Sequence, residues 1–241
     1  MTLVQGDVRR IVAMGGGTHG EGDLGSTMHD FLLGLVDRPR PRICLVPTAS
    51  ADDRFTVAGF FDAFATRAEA SWLPLFGRRD ADLRARVLDQ DIVLVWGGNT
   101  ANMLAIWRAH GFDTVLREAW HAGVVLAGMS AGAICWFEAS TTDSFGPELA
   151  PLHDGLGLLS GSCCPHYDAE PLRRPLYRGL VEHGFPAGYA IDDAAAIVFR
   201  GTELAEVVAS TATAQAWRVA LGANGVEETP LPARFLGQPG G

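Results

Sequence analysis

The sequence predicts a doubly wound α/β fold, in which helices cover both faces of a mostly parallel β-sheet and antiparallel strands form an edge near the C-terminus. Three observations predict it. Short apolar runs alternate with helical patterns along the first half of the 241-residue chain. Those runs are almost continuously apolar, as strands buried on both faces are. Apolar residues make up 48% of the chain, which is enough for one large core.

The first half of the chain contains five predicted strands. They cover residues 10–14, 43–46, 72–75, 91–95 and 124–127. Helices are predicted over residues 24–36, 52–70, 100–109 and 114–122, and a further helix follows residue 130. In the helix over 52–70, the phenylalanines are spaced to form one core-facing side: Phe55, Phe60, Phe61 and Phe64.

After Phe137 the pattern changes to loops rich in Gly, Pro, Ser and Asp. A helix is predicted over residues 171–183. Short strands follow over 189–191, 195–199, 204–208 and 217–221, and we expect them to form antiparallel hairpins at one sheet edge. The proline-containing tail from Gly222 is expected to be frayed. Since no linker divides the chain, residues 1–241 are predicted to form one domain with its core over residues 10–221.

Composition and charge disfavour several classes of protein. The formal net charge is −9, and Lys and Arg never occur in runs longer than two, which argues against nucleic-acid binding. No apolar stretch reaches the roughly 18 residues that a membrane-spanning helix needs, and the first ten residues lack the apolar segment of a signal peptide. The four cysteines show no spacing typical of a disulfide framework. We therefore expect a reduced, cytoplasmic protein with no nucleic-acid or membrane partner.

The strongest catalytic signal is Gly128-Met-Ser-Ala-Gly132, which follows a predicted strand and opens a helix. A serine at such a sharp turn projects its hydroxyl from the C-terminal edge of the sheet. The N–H of the next residue, Ala131, faces the oxyanion that forms when the hydroxyl attacks a carbonyl group. Ser130 is therefore the candidate nucleophile. The alternative is a serine that only caps its helix.

A serine nucleophile needs a base, and the chain contains seven histidines. Four of them fall in or at the ends of helical patterns: His29, His110, His121 and His183. His19 and His153 lie in loops. His166 lies in a tight segment, Cys163-Cys-Pro-His-Tyr-Asp168, in which the proline restricts the backbone. We favour His166 as the base.

Two other kinds of site compete with this interpretation. Residues 15–20 satisfy the G-x-G-x-x-G pattern of dinucleotide-binding folds, but the second strand is not closed by the acidic residue that such a site requires. A metal site could draw on Cys163, Cys164, His166 and Asp168. However, adjacent cysteines point in different directions, and no second Cys/His pair accompanies them. We predict no metal and no cofactor.

Several motifs resemble the peptidase E family of serine peptidases, the aspartyl dipeptidases of the S51 type. They are Val124-Val-Leu-Ala-Gly-Met-Ser-Ala-Gly-Ala133, Trp96-Gly-Gly-Asn-Thr100, Thr141-Thr-Asp143 and Pro165-His166. The resemblance covers residues 10–221 and implies a fold similar to class I glutamine amidotransferases, with Ser in place of their Cys. Cyanophycinases are more distant relatives with a similar core.

The resemblance also implies roles for individual residues. Ser130 matches the family nucleophile and His166 the general base. Gly98 matches a position that lends its N–H to the oxyanion hole, alongside Ala131. A glycine suits that position because a residue without a Cβ lets the main chain approach a tetrahedral intermediate closely.

The acid that orients the histidine is left open between two residues. Asp193 matches a position where many relatives carry a glutamate, one methylene longer. Asp143 matches the other acid proposed in the family. We favour Asp193 slightly, with Asp192 and Asp168 behind these two. An aspartate in a turn also commonly caps the local backbone instead.

The expected partner is a small peptide substrate, because the better-known family members cleave dipeptides with an N-terminal aspartate. An aspartyl side chain calls for a cation, preferably arginine. Arg173 and Arg174 lie near the family's acid-recognising arginine, although the pair could equally be a solvated helix start. Asn99 is expected to contact the substrate. The protein is expected to be a monomer or a homodimer.

Other functions on the same fold stay open. The chain could be a non-catalytic protein that binds a small molecule or a nucleotide, or a cyanophycinase-like hydrolase of unusual peptide bonds. The presence of both Ser130 and His166 favours an enzyme. A class I amidotransferase is disfavoured because the elbow has no cysteine, and Cys135 lies five residues further along the helix.

Overall fold

The computed structural model describes residues 8–17, 26–77 and 82–237. Residues 18–25 lie outside this description, and with them the end of the glycine-rich loop and the predicted start of the first helix. The described residues form a sheet of eight strands and a sheet of six strands, which pack with helices around a shared hydrophobic core. None of the described helices is long and apolar enough to cross a lipid bilayer.

The strands, in chain order, are β1 Arg10–Met14, β2 Arg42–Val46, β3 Glu69–Trp72, β4 Ile92–Val95, β5 Val125–Met129, β6 Phe137–Thr142, β7 Ala150–Leu152, β8 Leu159–Cys164, β9 Gly188–Ile191, β10 Ala195–Arg200, β11 Glu203–Ala209, β12 Ala216–Gly222, β13 Gly225–Leu231 and β14 Ala233–Phe235. The helices are α1 Ser26–Gly34, α2 Arg54–Phe64, α3 Leu83–Leu88, α4 Thr100–His110, α5 Phe112–His121, α6 Ala131–Ile134 and α7 Arg173–Glu182.

The main sheet has the strand order β14-β11-β10-β1-β5-β4-β2-β3. Strands β1 to β5 pair in parallel, and β10 adds antiparallel to β1. One face of this sheet packs on α1 and α2, while the other packs on α3 to α6 and on the second sheet. Because both faces are covered, the central strands must be apolar throughout, which explains their sequences.

Helix α2 is shorter than the predicted helix over residues 52–70. It begins after Asp53, whose carboxylate accepts the Thr56 N–H, and it ends at Phe64. The chain is already extended from Glu69, since that residue pairs with β2. Phe55 is 88% exposed, so it does not belong to the core face as predicted, whereas Phe60 and Phe64 are buried.

The last four predicted strands do not share one sheet edge. Strands β10 and β11 form a hairpin in the main sheet, but β9 and β12 belong to the second sheet, whose order is β13-β12-β9-β8-β6-β7. Gly188 allows β9 to approach β8, because a Cβ there would lie 1.9 Å from the Ser162 carbonyl oxygen. The chain changes sheets between β9 and β10, at a turn in which Ala194 has a φ of 63°.

The expectation of a frayed tail from Gly222 is wrong for the described residues. Strand β13 pairs antiparallel with β12, with Leu221 opposite Val226, and β14 pairs in parallel with β11. Both are edge strands, and an edge strand tolerates proline because one of its sides needs no ladder partner. Pro230 therefore fits within β13, opposite Trp217.

Candidate active site

Ser130 lies at a strained turn between β5 and α6. Its φ is 54° and its ψ −113°, a backbone conformation that residues with a side chain rarely adopt. Strain of this kind persists only where the surroundings enforce it, and it is common at catalytic positions. The Ser130 N–H donates to the Met14 carbonyl oxygen over 3.0 Å, so β1 holds the turn in place.

The glycines on either side of the serine are required by packing. A Cβ on Gly128 would lie 2.0 Å from the Gly132 carbonyl oxygen. A Cβ on Gly132 would lie 2.2 Å from the Val95 carbonyl oxygen of β4. No side chain fits either place, so the Gly-x-Ser-x-Gly pattern follows from the crowding of strand, turn and helix.

A chain of two hydrogen bonds links the serine to an aspartate. His166 Nε2 lies 2.8 Å from Ser130 Oγ, and His166 Nδ1 lies 2.6 Å from Asp193 Oδ1. With the proton on Nδ1, the imidazole donates to the carboxylate and accepts from the serine hydroxyl. The histidine and aspartate side chains are only 20% and 14% exposed, so water screens their interaction weakly.

The segments that carry His166 and Asp193 are bonded to each other. His166 follows β8 and has a φ of 52°, and Asp193 lies in the turn between β9 and β10. The Tyr167 N–H donates to the Ile191 carbonyl oxygen over 3.1 Å, and the Asp193 N–H donates to Asp168 Oδ1 over 2.8 Å. These bonds fix the distance between the imidazole and the carboxylate.

The first glycines of the glycine-rich loop lie against this pair. A Cβ on Gly16 would lie 1.9 Å from Asp193 Oδ1 and 2.6 Å from His166 Nδ1, and one on Gly15 would lie 2.3 Å from the Asp192 carbonyl oxygen. The Gly16 carbonyl oxygen also accepts the Ala194 N–H. In the described part of this loop, glycine is therefore explained by the close approach of the Asp193 turn to the end of β1.

Two residues next to the serine have backbone N–H groups suited to an oxyanion: Gly98 lines the same cavity as Ser130, and Ala131 follows Ser130 in the chain. Gly98 has a φ of 135°, and a Cβ there would lie 2.2 Å from the Ala49 carbonyl oxygen. The neighbouring Gly97 lies close to the serine, since a Cβ added to Gly97 would be 3.3 Å from the Ser130 Cβ. Within the described ranges, neither the Gly98 N–H nor the Ala131 N–H donates to another protein group. For Ala131 this follows from its place as the first residue of a helix.

A cavity of about 260 Å³ opens at the serine. Its lining residues are Gly98, Asn99, Ser130, Asp143, His166, Glu170 and Arg173. Of the two candidate acids, Asp193 is the one bonded to His166, while Asp143 is exposed and lines the cavity. Asp193, the acid that the sequence slightly favours, is thus the one in contact with the imidazole, and Asp143 is not bonded to it.

The residues expected to bind substrate have three different surroundings. The Asn99 side chain caps α4 by accepting the Asn102 N–H and donates to the Ser144 carbonyl oxygen, so both of its polar groups are used within the fold. Arg173 lines the cavity, but it is buried and paired with Glu170. Arg174 is not among the cavity residues and pairs with Glu228.

For three residues near the site, the sequence predicts either no role or a role other than the one that the structure shows. In the sequence, Gly16 belongs to a possible nucleotide-binding pattern, Asp168 is a candidate for the orienting acid and for a metal ligand, and Glu170 has no predicted role. The one available signal for Glu170 is its place three residues before Arg173. Glu170 lies in the turn before α7, and its carboxylate reaches the arginine from there. The role of Gly16 had no local signal, because its contact is with a residue 177 positions away.

The cysteines near the site are buried. Burial raises the pKa of the Cys163 thiol, and it raises that of Cys164 to about 12. Burial likewise raises the pKa of Cys135, whose thiol donates to the Gly132 carbonyl oxygen within α6. Among the residues that the structure describes, no three His, Cys, Asp or Glu side chains are placed to hold a metal ion.

Fold and site together define a hydrolase class in which a serine at a strand-to-helix elbow is paired with a histidine at the C-terminal edge of a wound parallel sheet. The model of peptidase family S51 matches residues 11–207. The chain belongs to this family and is a serine-type peptidase, as the resemblance implied.

Individual relatives agree with this assignment. The chain is 44% identical over 232 residues to the Bacillus subtilis strain 168 protein named "Uncharacterized peptidase YgaJ", covering 95% of this chain and all of that protein. It is 26% identical over 175 residues to "Uncharacterized peptidase Lmo0363" of Listeria monocytogenes EGD-e, covering 67% of this chain and 83% of that protein.

A solved structure confirms the predicted α/β class. The crystal structure of a peptidase from an acI-B1 Actinobacterium superposes with a TM-score of 0.64 at 20% identity, covering 95% of this chain and 96% of that one. At this identity the likeness concerns the fold alone.

Proposed function

We propose that the protein hydrolyses short peptides through Ser130, His166 and Asp193, with the Gly98 and Ala131 N–H groups as the oxyanion hole. The observation that carries the proposal is the continuous hydrogen-bonded chain from the serine hydroxyl through the imidazole to the carboxylate. A serine hydroxyl is a weak nucleophile, and a base within hydrogen-bond distance, itself oriented by an acid, is the arrangement that activates it.

The geometry supports acyl transfer in two halves. As Ser130 Oγ bonds to the substrate carbonyl carbon, its proton passes to His166 Nε2, and Asp193 stabilises the resulting imidazolium. The carbonyl oxygen becomes an oxyanion that accepts from the two free N–H groups, each of which supplies roughly 3–4 kcal/mol of barrier lowering in comparable sites.

The intermediate then collapses. The C–N bond breaks, and the leaving amine takes the proton from His166, which leaves an acyl-enzyme. Water attacks the ester carbonyl while His166 accepts a proton from it. As the second tetrahedral intermediate collapses, its C–O bond to Ser130 breaks and His166 returns that proton to Ser130 Oγ. The acid product leaves, the enzyme is regenerated, and one water has been consumed per bond cleaved.

The small cavity favours short substrates. A volume of about 260 Å³ lies just below the usual range of ligand pockets, which begins near about 300 Å³. It can hold one amino-acid residue next to the scissile bond. Seven residues from four separate segments line it, so a substrate must place its scissile carbonyl among them to reach Ser130.

The test is reaction of the purified protein with a fluorophosphonate probe and a panel of di- and tripeptides. We expect covalent labelling at Ser130 and hydrolysis of some members of the panel. Ser130→Ala should abolish both while the protein keeps its circular dichroism spectrum. Absence of labelling in the folded wild-type protein would instead favour a non-catalytic binding protein, and wild-type turnover by Ser130→Ala would exclude the mechanism.

A further inference from the structure

Arg173 is the one arginine or lysine among the described residues that line the cavity. It opens helix α7, seven residues after His166, and its side chain is 4% exposed. A cation in this place is suited to recognise an acidic side chain of the peptide, as the family resemblance implies. Whether it can do so depends on what its guanidinium already contacts.

The guanidinium is already occupied by a carboxylate of the same chain. Arg173 Nε lies 2.7 Å from Glu170 Oε2, and Nη2 lies 3.3 Å from Glu170 Oε1. This bidentate contact is the geometry with which arginine binds a substrate carboxylate. The third nitrogen, Nη1, donates to the Thr141 carbonyl oxygen over 3.3 Å.

Two hydrogen bonds of its own backbone hold Glu170 in the turn between His166 and Arg173. Its own N–H donates to the His166 carbonyl oxygen over 3.1 Å, and its carbonyl oxygen accepts the Arg173 N–H over 3.0 Å. The Glu170 side chain therefore belongs to the same rigid turn as the base. It is 45% exposed and lines the same cavity as the arginine that it pairs with.

The balance of charge around the cavity follows from these contacts. Arg173 and Glu170 neutralise each other, and Asp143 adds a further carboxylate. An acidic side chain would have to displace Glu170 from Arg173 and would also face the charge of Asp143. A neutral side chain meets neither cost, and the ammonium group of a free N-terminus is attracted to both carboxylates.

We propose that Glu170 is a specificity-determining residue that occupies Arg173 and thereby excludes acidic side chains, so that the enzyme cleaves short peptides whose first residue is neutral. This proposal rests on the function proposed above for Ser130 and His166. It differs from the preference for N-terminal aspartate that the family resemblance implies.

The experiment compares two nearly isosteric substrates, asparaginyl-leucine and aspartyl-leucine. For the wild-type enzyme, we expect kcat/KM to be at least about tenfold higher for the asparaginyl peptide, a difference typical of one unfavourable charge contact. Glu170→Gln keeps an oxygen acceptor for Arg173 but removes the negative charge. It should shift the ratio of the two kcat/KM values by at least about tenfold toward the aspartyl peptide.

Two further variants serve as controls. Glu182→Gln removes the same charge from the exposed end of α7, away from the cavity residues, and should leave the ratio unchanged. Glu170→Asp keeps the charge and should keep the preference for the asparaginyl peptide.

A wild-type preference for aspartyl-leucine would overturn the proposal, and so would a folded Glu170→Gln variant with an unchanged ratio. The wild-type ratio decides by itself if Glu170→Gln does not fold. If neither peptide is hydrolysed and Ser130 is not labelled, the proposed function fails separately. Binding of the two peptides to Ser130→Ala, measured by calorimetry, then still tests the charge preference. We expect the asparaginyl peptide to bind more tightly. Tighter binding of the aspartyl peptide, equal binding of both, or no binding of either would contradict the proposal.

Discussion

Replacement of Gly16 by alanine should inactivate the enzyme while leaving its fold intact. The added methyl group would lie 1.9 Å from Asp193 Oδ1 and 2.6 Å from two atoms of the His166 ring, all of them in side chains. Side chains can retreat from such a contact, so the backbone need not change. At Gly15 the obstacle is instead the main chain, including the Asp192 carbonyl oxygen at 2.3 Å, and alanine there should destabilise the fold.

The size of the effect follows from the distance that the carboxylate must move. Ordinary contact needs about 3.4 Å, so the carboxylate oxygen has to retreat by roughly 1.5 Å, and its 2.6 Å bond to His166 is then broken. Misplacing a catalytic group by about 1 Å costs on the order of 100-fold, and losing the orienting acid of a triad about 10⁴-fold. We expect a fall in kcat/KM between these limits, equivalent to about 3–5 kcal/mol in the barrier.

The assay is steady-state hydrolysis of a peptide identified by the substrate panel, together with thermal unfolding of each variant. Gly179→Ala is the matched control, since a Cβ at that helical position meets nothing within 4 Å and should leave kcat/KM unchanged. Adding Asp193→Asn to Gly16→Ala should cost little further activity, because both changes break the same bond. A folded Gly16→Ala variant with kcat/KM within about threefold of the wild type would refute the reasoning.

Three other outcomes are expected. Asp193→Asn should lower kcat/KM by about 10³- to 10⁴-fold because an amide favours the wrong imidazole tautomer, whereas Asp143→Asn should cost less than about tenfold; equal losses would contradict the assignment of the acid. Burial raises the pKa of Asp192 to about 6, so the folded state holds this proton more tightly than the unfolded chain, and stability should fall by roughly 3 kcal/mol as pH rises from about 4 to 6. Urea unfolding of Asp192→Asn should lack this part of the pH dependence, and parallel curves for variant and wild type would exclude it. Glu228→Ala should lower the free energy of unfolding by about 1–3 kcal/mol because the Tyr167 hydroxyl loses its acceptor, and an unchanged denaturation midpoint would show that the contact is unimportant.

Local patterns in the sequence were sufficient for much of the main sheet and for the elbow. The sequences of β1, β2, β4 and β5 predict buried strands because a strand covered on both faces is apolar at nearly every position. Such short, continuous apolar runs are easy to recognise. Gly128, Ser130 and Gly132 predict the turn because they form a short local pattern between a strand and a helix, and the contact of Gly128 with the Gly132 carbonyl oxygen is itself local. The prediction that Phe55 faces the core is wrong because helical spacing alone does not show which turns of a helix contact the sheet.

The second sheet could not be predicted in the same way. Its strands are short, and strands that pair are far apart in the chain: helix α7 lies between β8 and β9, and the β10–β11 hairpin lies between β9 and β12. Period-two patterns show that a segment is extended but not which neighbour it pairs with. For the same reason, the sequence after Gly222 did not predict that β13 would pair with β12, or β14 with β11, as edge strands.

The sequence by itself determined the class of fold, the family, the serine at the elbow and the histidine most suited to face it. The tertiary structure alone decided that Asp193 rather than Asp143 contacts His166, that Gly16 must be a glycine, and that Arg173 is already paired. The physical reason is that hydrogen bonds and steric contacts act over about 3 Å in space, whereas most of these groups lie tens of residues apart along the chain.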